Sequence, residues 1–295
     1  MPEEDLIIMV FCLVDDTMKA LNLPSLRQRG FPPRLSDSEV ITMELVGEFL
    51  GQHQDKDIWR YFSRHWRPLF PKLPCRTTFT RQAAHLWAIK QRLQSVLARR
   101  LGAYDDDIHI ADGFPLPVCV FRRAPSSPLF KGSAEYGYCA SKGQTYFGFQ
   151  GLISISFNGI ISGVTLTPAN VDERDALWDV VEHLKGLLLG DKGFIRPILK
   201  QDLANIGIEL QTALRSNMKD SRPKSFVKRL MRKRRLVETV IGQLAEQFEI
   251  EKTKARDLWH LTNRITRKIL SHTVGIFINK MLGNPPLQFA LLQPS

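Results

Sequence analysis

Three carboxylates in this sequence stand where a metal-dependent site could be built. Asp112 follows the alternating run IHIA, and Asp191 follows the apolar run GLLLG, so each lies at or near the end of a predicted strand. Glu238 lies further along the chain on a predicted helix, which could pack across the same sheet. Carboxylate oxygens are the ligands that Mg²⁺ prefers, and two such ions roughly 3.5–4 Å apart stabilise both the attacking and the leaving oxygen of a phosphoryl transfer. The set predicts a metal-dependent phosphoryl-transfer enzyme.

Each of these carboxylates also has an ordinary structural explanation. A single Asp after a strand is usually a turn or helix-cap residue. Glu238 follows Arg234 by four positions, which suits an exposed helical ion pair worth about 0.3–0.5 kcal/mol. The order of strand Asp, strand Asp, basic segment and helix Glu favours the catalytic interpretation, although the spacing alone leaves both open. Three further acids are interpreted as N-terminal helix residues that complement the helix dipole: Asp172, Glu173 and Asp175.

The elements that must hold these residues lie between about residues 107 and 212. The alternating segment IHIADGFPLPV predicts a strand, and TYFGFQGLISISFNGIISGVTLTPAN predicts two strands joined by an Asn158-Gly159 turn. Then come a helix (DERDALWDVVEHL), the buried strand GLLLG, a helix (RPILKQDLANIG) and a last strand (IELQTAL). We therefore predict an α/β fold with a mixed sheet, in which the strands that carry Asp112 and Asp191 lie side by side.

Residues 1 to about 100 have the periodicity of helices. The apolar run from Leu6 to Val14 is too short to cross a bilayer and predicts a core helix. Ser36 and Glu39 form a capping-box pattern before another amphipathic helix. Surface arginines on short helices suit DNA binding, and a plain helical bundle with solvated arginines is the alternative. We predict a helical N-terminal domain over residues 1–104 that binds DNA.

The positive charge of the chain is concentrated in one segment. The 295 residues carry a net charge of +11, and residues 214–235 contain ten Lys or Arg against Asp220 alone. Such a charge favours a polyanion such as nucleic acid as the partner, and a solvated loop is the alternative explanation of the segment. We place this basic insert, 214–235, in a catalytic domain over residues 105–295 that also contains the C-terminal helices.

Cysteine usage and hydropathy exclude other classes of protein. The four cysteines are widely spaced and include no Cys-x-x-Cys pair, which argues against a zinc knuckle or a disulfide scaffold and favours a reduced, cytoplasmic protein. No segment is long and apolar enough for a membrane span, and the N-terminal apolar run lacks the positive start of a signal peptide. A cytoplasmic enzyme acting on nucleic acid is the class that we expect.

Six segments occur in order along the chain: IADGFPLPVC, GYCASKGQTYFGFQGL, GVTLTPANVDERDAL, GDKGF, RSNMK and RRLVETVIGQLAEQFEIEKTKAR. Together they closely resemble bacterial insertion-sequence transposases of the DDE type, and the resemblance runs from about Arg34 to the C-terminus. It implies an RNase H-like core with flanking helices. It also implies that Asp112, Asp191 and Glu238 are the catalytic and metal-binding residues, and that the cofactor is Mg²⁺, as two ions for which Mn²⁺ can substitute.

The resemblance further implies the substrate and the partners. The substrate would be double-stranded DNA, namely the terminal inverted repeats of the insertion sequence and a target, with strand cleavage followed by joining. A homodimer on paired ends and a cytoplasmic, nucleoid-associated location in a bacterial cell are expected with it. Two other activities stay open: an RNase H-like nuclease that does not join strands, and an inactive DNA-binding remnant of a transposase.

The family signature of Tyr, Arg, Glu and Lys around the last acid is only partly present. Arg234 and Glu238 fit it, whereas Met231 stands in place of Tyr and Ala245 in place of Lys. Gln150 replaces the Lys that commonly follows Gly-Phe in the second strand. These departures affect expected DNA contacts rather than metal ligands. The residues expected to contact DNA phosphates are Lys142, Lys192, Arg232, Lys233, Arg234 and Arg235.

Overall fold

The computed structural model describes residues 1–22, 31–140 and 142–293. Ser141, which belongs to one of the segments quoted above, lies outside the described residues. The helices are α1 Glu3–Leu21, α2 Asp37–Phe49, α3 Asp55–His65, α4 Arg76–His85, α5 Trp87–Arg100, α6 Glu173–Val181, α7 Pro197–Asn205, α8 Lys224–Glu246 and α9 Leu258–Met281. The strands are β1 Ile108–Cys119, β2 Glu135–Cys139, β3 Gln144–Ser156, β4 Ile161–Pro168, β5 Gly186–Gly190 and β6 Ile208–Thr212.

The chain divides into two compact units. The helical unit consists of Met1–Leu97 together with Glu246–Ser295, and the sheet unit consists of Ala98–Ala245. This division differs from the predicted boundary at residues 104 and 105, which placed the C-terminal helices with the sheet. α9 instead packs against α2 and α4. The physical reason is that α9 carries buried basic side chains whose counterions lie on the N-terminal helices.

The helical unit forms where the sequence pattern predicts helices. α1 buries one apolar face, as expected for a core helix: Leu6, Ile7, Val10 and Val14. At the start of α2, Ser36 Oγ accepts a hydrogen bond from the N–H of Glu39 at 3.1 Å, and the Glu39 side chain accepts one from the N–H of Ser36, which confirms the capping box. None of the described helices is long and apolar enough to cross a membrane.

Buried ion pairs join the first and last segments of the helical unit. Arg267 on α9 lies 2.6 Å from Glu48 Oε1 and 2.7 Å from Asp55 Oδ1, and all three side chains are buried. Lys268 lies 2.9 Å from Glu48 Oε2. A buried charge is tolerated only when it is paired and hydrogen-bonded, so these residues require one another. The partners Arg267 and Glu48 are 219 positions apart, a separation that periodicity in the sequence does not reveal.

Over its described residues, the sheet unit contains a six-stranded mixed sheet. β1 lies between β3, with which it is antiparallel, and β5, with which it is parallel; β5 also pairs in parallel with β6. β3 forms antiparallel pairs with β2 and β4 as well. α6 packs against β3 and β4, and α7 packs against β6, so that Leu177 and Leu203 join Leu188 of β5 in one apolar cluster. The predicted fold class, an α/β fold with a mixed sheet flanked by helices and an N-terminal helical region, is confirmed.

The predicted hairpin is also confirmed, whereas three details of the sheet unit differ from expectation. β3 and β4 are joined by the Asn158-Gly159 turn, where Gly159 has a φ of 80°. Asp112 lies inside β1 rather than at its end, because antiparallel pairing with β3 continues to Cys119. The short strand β2 was not predicted. Residues 224–235 of the basic segment form the first half of α8, not a separate insert before the helix of Glu238.

Candidate active site

Parallel pairing of β1 and β5 brings Asp112 and Asp191 together. In this register Ile110 lies opposite Leu189, and each Asp stands two residues beyond its member of the pair. Because parallel strands run in the same direction, both carboxylates are carried to the same end of the β1–β5 contact. Asp191 follows the last residue of β5 and precedes a short 3-10 turn, Lys192–Phe194.

Glu238 joins the two aspartates through the arginine that precedes it on α8. The Arg234 guanidinium contacts all three carboxylates. Its Nη1 lies 3.0 Å from Asp112 Oδ2 and 3.8 Å from Asp191 Oδ1, and its Nη2 lies 3.0 Å from Glu238 Oε1. The helical ion pair that the spacing of Arg234 and Glu238 suggested therefore exists, but the same guanidinium also reaches the two strand carboxylates. One cation holds the three acids around a common point.

Asp112 is electrostatically perturbed by its position in the sheet. Its side chain is half-buried, and Oδ1 accepts a hydrogen bond from the N–H of Gly113 at 3.0 Å. Burial raises the pKa of Asp112 to about 6, with the Arg234 guanidinium opposing the rise and the charges of Asp191 and Glu238 adding to it. A cation bound beside this carboxyl group favours its ionised form.

A fourth carboxylate, Glu173, lies in the same cleft. It is the first residue of α6, and Gln150 Nε2 on β3 donates a hydrogen bond to its Oε1. Burial and, after it, the charges of Asp112 and Asp191 raise the pKa of Glu173 to about 7. The sequence interpretation grouped Glu173 with Asp172 as a helix N-terminal acid. No signal in the spacing separates the two, because acids in the first turn of a helix are common.

The four acids line one cleft of the sheet unit with a volume of about 630 Å³. Tyr138 and Tyr146 from β2 and β3 form another part of its wall. The charged residues of the lining are Asp112, Glu173, Asp191, Glu238 and Arg234. Within the part of this lining that the structure describes, four carboxylates thus stand against one guanidinium, so the cleft attracts cations.

The residues expected to contact DNA lie on three elements of the sheet unit. Five of them have exposed side chains: Lys142, Lys192, Arg232, Lys233 and Arg235. Lys233 Nζ lies 3.6 Å from the centre of the Phe157 ring, in a cation–π contact. Arg234 is different, because its side chain is only 19% exposed and is directed at the carboxylates. The structure therefore places Arg234 in the cleft and leaves the other five on the surface.

Comparison with known proteins identifies the family. A family model described as "Transposase DDE domain" matches residues 102–258, which is more than half of the chain. The chain belongs to the DDE transposases. No curated protein matches it. A solved structure described as the cryo-EM structure of a piggyBac transposase synaptic complex with hairpin DNA is similar to this DDE transposase at 12% sequence identity and a TM-score of 0.48, covering 98% of this chain and 76% of that chain.

Divalent metal ions are implied by the DDE transposase family, and the cleft can be compared with that requirement. Its acidic donors are all oxygens, which suit hard cations such as Mg²⁺. The Arg234 guanidinium, 3.0 Å from both Asp112 and Glu238, stands in for such a cation. Among the described residues, no group of three or more His, Cys, Asp or Glu is close enough together to hold a metal ion. The oxygen donors therefore fit a divalent ion that takes the place of the Arg234 guanidinium between the carboxylates.

Proposed function

We propose that this DDE transposase moves an insertion sequence of bacterial origin, cleaving DNA at the terminal inverted repeats and joining the freed ends to a target. The observation that carries the proposal is the convergence of Asp112, Asp191 and Glu238 on the Arg234 guanidinium within the matched domain. Under this proposal these acids are the catalytic residues and hold two Mg²⁺ ions, for which Mn²⁺ would substitute. Action in the cytoplasm, on DNA of the nucleoid, belongs to the same proposal.

The bound ions would supply an activated water and stabilise charge on the attacking and leaving oxygens. The residues of the chain prepare this chemistry. Asp112 is held by strands paired on both sides of β1, and Asp191 directly follows a buried strand, so both carboxylates stand on rigid elements. Arg234 would transfer from the carboxylates to a DNA phosphate, whose oxygens a guanidinium can bind in bidentate fashion.

Two displacements at phosphorus would follow. In the first, water attacks the phosphodiester at the end of the insertion sequence, the bond from phosphorus to the 3′ oxygen breaks, and a 3′-hydroxyl is released. In the second, this 3′-hydroxyl attacks a phosphodiester of the target, and the 3′ oxygen of the target leaves. One phosphodiester bond is formed for each that is broken in the joining step. The same carboxylates serve both steps, because the nucleophile and the leaving group are oxygens in each.

The exposed basic residues would bind the DNA backbone around the cleft. α8 carries Arg232, Lys233 and Arg235 on the turns next to Arg234, and Lys192 follows Asp191 directly. Lys142 lies in the turn between β2 and β3. Phosphate contacts of this kind provide affinity and register without reading the base sequence. The DNA binding that these residues provide should therefore depend strongly on the salt concentration and weakly on the base sequence.

We assign recognition of the inverted repeats to the helical unit. α4 has an exposed, polar and basic face that includes Arg76, Thr77 and Arg81. Next to this face is a cavity of about 500 Å³, to which Trp259 contributes a side chain that is 46% exposed. Arginine and threonine on one helix face can contact phosphates and base edges together. Simultaneous capture of two ends would require a homodimer.

The decisive experiment compares the wild type with Asp191→Asn, which keeps the shape of the side chain and removes its charge. The full-length chain is incubated with labelled inverted-repeat DNA, a target plasmid and Mg²⁺. We expect cleavage and joining by the variant to fall to background. Asp202→Asn, an exposed aspartate on α7, is the matched control and should keep the wild-type activity. Equal activity of Asp191→Asn and the wild type would show that the triad assignment is wrong.

The same assay separates the alternative functions. Cleaved ends without any joined product would identify a nuclease that lacks strand transfer. Specific binding of the inverted repeats, with neither cleavage nor joining by the wild type, would identify an inactive DNA-binding remnant. Joined products that depend on Asp191 are the outcome expected for the transposase.

A further inference from the structure

Glu173 occupies an unusual position for an acid at the start of a helix. The capping role belongs to its neighbour, since Asp172 Oδ1 accepts a hydrogen bond from the N–H of Arg174 at 2.9 Å. Asp172 also pairs with the Arg174 and Arg196 guanidinium groups. Asp172 therefore both caps the first turn of α6 and pairs with the two nearby guanidinium groups. The side chain of Glu173 lines the cleft that contains Asp112 and Asp191.

Two glycines show where the Glu173 carboxylate lies. A Cβ atom added to Gly113 would stand 2.5 Å from Glu173 Oε1, closer than such contacts allow. A Cβ atom added to Gly193 would stand 3.4 Å from Oε2. Gly113 follows Asp112 directly, and Gly193 comes two residues after Asp191. The Glu173 carboxylate thus lies between the chain segment that carries Asp112 and the segment that carries Asp191. Gly113, which has no side chain, leaves room for it next to Asp112.

Gln150 fixes the orientation of this carboxylate. It lies on β3, opposite Pro115 of β1 in the strand register, and its Nε2 donates a hydrogen bond to Glu173 Oε1. A neutral amide orients a carboxylate without neutralising it, so the negative charge remains available to a ligand. A lysine at position 150 would instead form an ion pair with Glu173 and supply the positive charge itself.

The single positive charge of Arg234 does not balance the carboxylates that line the cleft. The guanidinium pairs with Asp112, Asp191 and Glu238, while Glu173 adds a fourth negative group to the same half-buried lining. Like charges gathered at reduced solvent exposure repel one another, and an ion with two positive charges relieves this repulsion. The benefit to such an ion grows with each carboxylate that faces it.

We propose that Glu173 is a fourth carboxylate of the cation site, which binds the divalent ion together with Asp112 and Asp191 and is positioned for this by Gln150. The inference rests on the proposed function, because it assumes that the ion is held at these aspartates. It assigns to Glu173 a ligand role, directly or through a coordinated water, and to Gln150 a positioning role.

Binding of Mn²⁺ alone to the full-length chain tests the proposal without any DNA. The free Mn²⁺ is followed by its paramagnetic resonance signal during titration, which gives affinity and stoichiometry independently of activity. We expect Glu173→Gln to weaken Mn²⁺ binding by about tenfold or more, and Gln150→Leu to weaken it to a smaller extent. Glu173→Asp keeps the charge but shortens its reach, so its affinity should lie between those of the wild type and Glu173→Gln.

The matched control is Asp175→Asn, which removes one negative charge from the same turn of α6 at an exposed site. It should bind Mn²⁺ as the wild type does. Asp191→Asn serves as the reference for the site itself. Wild-type affinity in Glu173→Gln, with weakened binding in Asp191→Asn, overturns the role of Glu173 and leaves the proposed function intact.

Two further outcomes complete the test. Unchanged binding in both Asp191→Asn and Glu173→Gln contradicts the cation site of the proposed function as a whole. A purely structural role of Glu173 would lower the thermal stability of Glu173→Gln while its Mn²⁺ affinity stayed at the wild-type value, and this result also overturns the inference. Should Glu173→Gln fail to fold, wild-type affinity in both Glu173→Asp and Gln150→Leu would count against it in the same way.

Discussion

At the scale of single residues, Arg234 determines the charge balance of the cleft. Among the described residues that line the cleft it carries the one basic group, and this guanidinium is shared among Asp112, Asp191 and Glu238. Without a divalent ion the arginine screens these acids from one another. Under the proposed function, ion binding would make the same positive charge available to a DNA phosphate. Under the same proposal, Arg234 would thus couple the occupancy of the cation site to the binding of DNA.

Replacing Arg234 by Gln should lower the stability of the metal-free protein and increase its stabilisation by divalent ions. Three carboxylates lose their counterion, and we expect a loss of about 1–2 kcal/mol in the free energy of unfolding in the presence of a chelator. Adding Mg²⁺ should recover most of this loss, because an ion that binds only the folded state stabilises it. Urea unfolding with and without Mg²⁺ measures both effects.

Arg229→Gln provides the control, since this exposed arginine lies on the same helix and outside the cleft lining. Its stability should stay within about 0.5 kcal/mol of the wild type under both conditions. An equal gain from Mg²⁺ in the wild type and in Arg234→Gln would contradict the role of Arg234 as a stand-in cation.

Positions on predicted strands and on a predicted helix marked Asp112, Asp191 and Glu238 as candidate site residues. Asp191 follows a short apolar run bounded by glycines, which is typical of a buried strand, so its place at the strand end was predictable. Glu173 was not, because its approach to the cleft depends on how α6 packs on β3 and β4. Packing of this kind joins residues that are distant in sequence. An acid in the first turn of a helix has the same sequence pattern whether it faces solvent or a cleft.

At the scale of elements, α8 combines two properties in one continuous helix. In its C-terminal half Val237, Val240 and Leu244 are buried, and Glu238 lies beside them in the sequence. Its N-terminal half is basic and exposed, with Lys228, Arg232 and several neighbours free of the core. The sequence suggested a basic insert followed by a helix. The boundary is absent because basic residues are good helix formers, and a charge pattern alone does not end a helix.

The exposed basic face of α8 should determine the salt dependence of DNA binding. Lys228, Arg232 and Arg235 recur at helical spacing and are all exposed. Replacing the three by Ala should make the plot of log affinity against log salt less steep by about 3 and weaken specific and random DNA alike. Fluorescence anisotropy with labelled duplexes at several salt concentrations measures this slope.

Lys185→Ala, which changes an exposed lysine between α6 and β5, is the control and should change the slope by at most about 1. A selective loss for the inverted repeats would instead indicate base readout by α8.

At the scale of the whole molecule, the chain builds its helical unit from both ends. The first 97 residues and the segment after Ala245 fold together, and the sheet unit is formed by the chain between them. The link between the two ends is electrostatic as well as apolar. Arg267 and Lys268 oppose the effect of burial and hold the pKa of Glu48 at about 2, so all three side chains are charged at neutral pH. Hydrophobic periodicity shows which face of a helix is buried but not which element covers that face. The grouping of the first and last helices in one unit could therefore not be predicted from it.

Arg267→Met should therefore destabilise the helical unit strongly. The substitution keeps most of the side-chain volume and leaves Glu48 and Asp55 buried with less positive charge, at a cost of about 3–5 kcal/mol. Urea unfolding followed by tryptophan fluorescence reports mainly on this unit, which contains Trp59, Trp66, Trp87 and Trp259. Arg256→Met, an exposed position before α9, should cost less than about 0.5 kcal/mol. Similar stabilities of the two variants would refute the structural role assigned to the buried pairs.

The stability of the same unit should also fall as the pH drops below neutrality. His272 on α9 is fully buried, with its ring 5.0 Å from that of Phe289. Burial lowers the pKa of His272 from its usual 6.5 to about 3. Between these values the unfolded chain binds a proton that the folded chain does not, so the folded state loses about 1.4 kcal/mol for each pH unit below 6.5.

His272→Phe isolates this contribution, because Phe fills a similar volume beside Phe289 and Phe248 and does not titrate. The free energy of unfolding, measured in urea from about pH 7.5 to about pH 4.5, should fall less steeply in the variant, by about 1.4 kcal/mol per pH unit below 6.5. Glu48 and Asp55 have pKa values of about 2 in the folded protein, so they lower the stability only at a more acidic pH, where the carboxylates of the unfolded chain bind protons first. This acid dependence should remain in the variant. Parallel pH profiles for the two proteins above pH 4.5 would mean that His272 is protonated in the folded state, contrary to its burial.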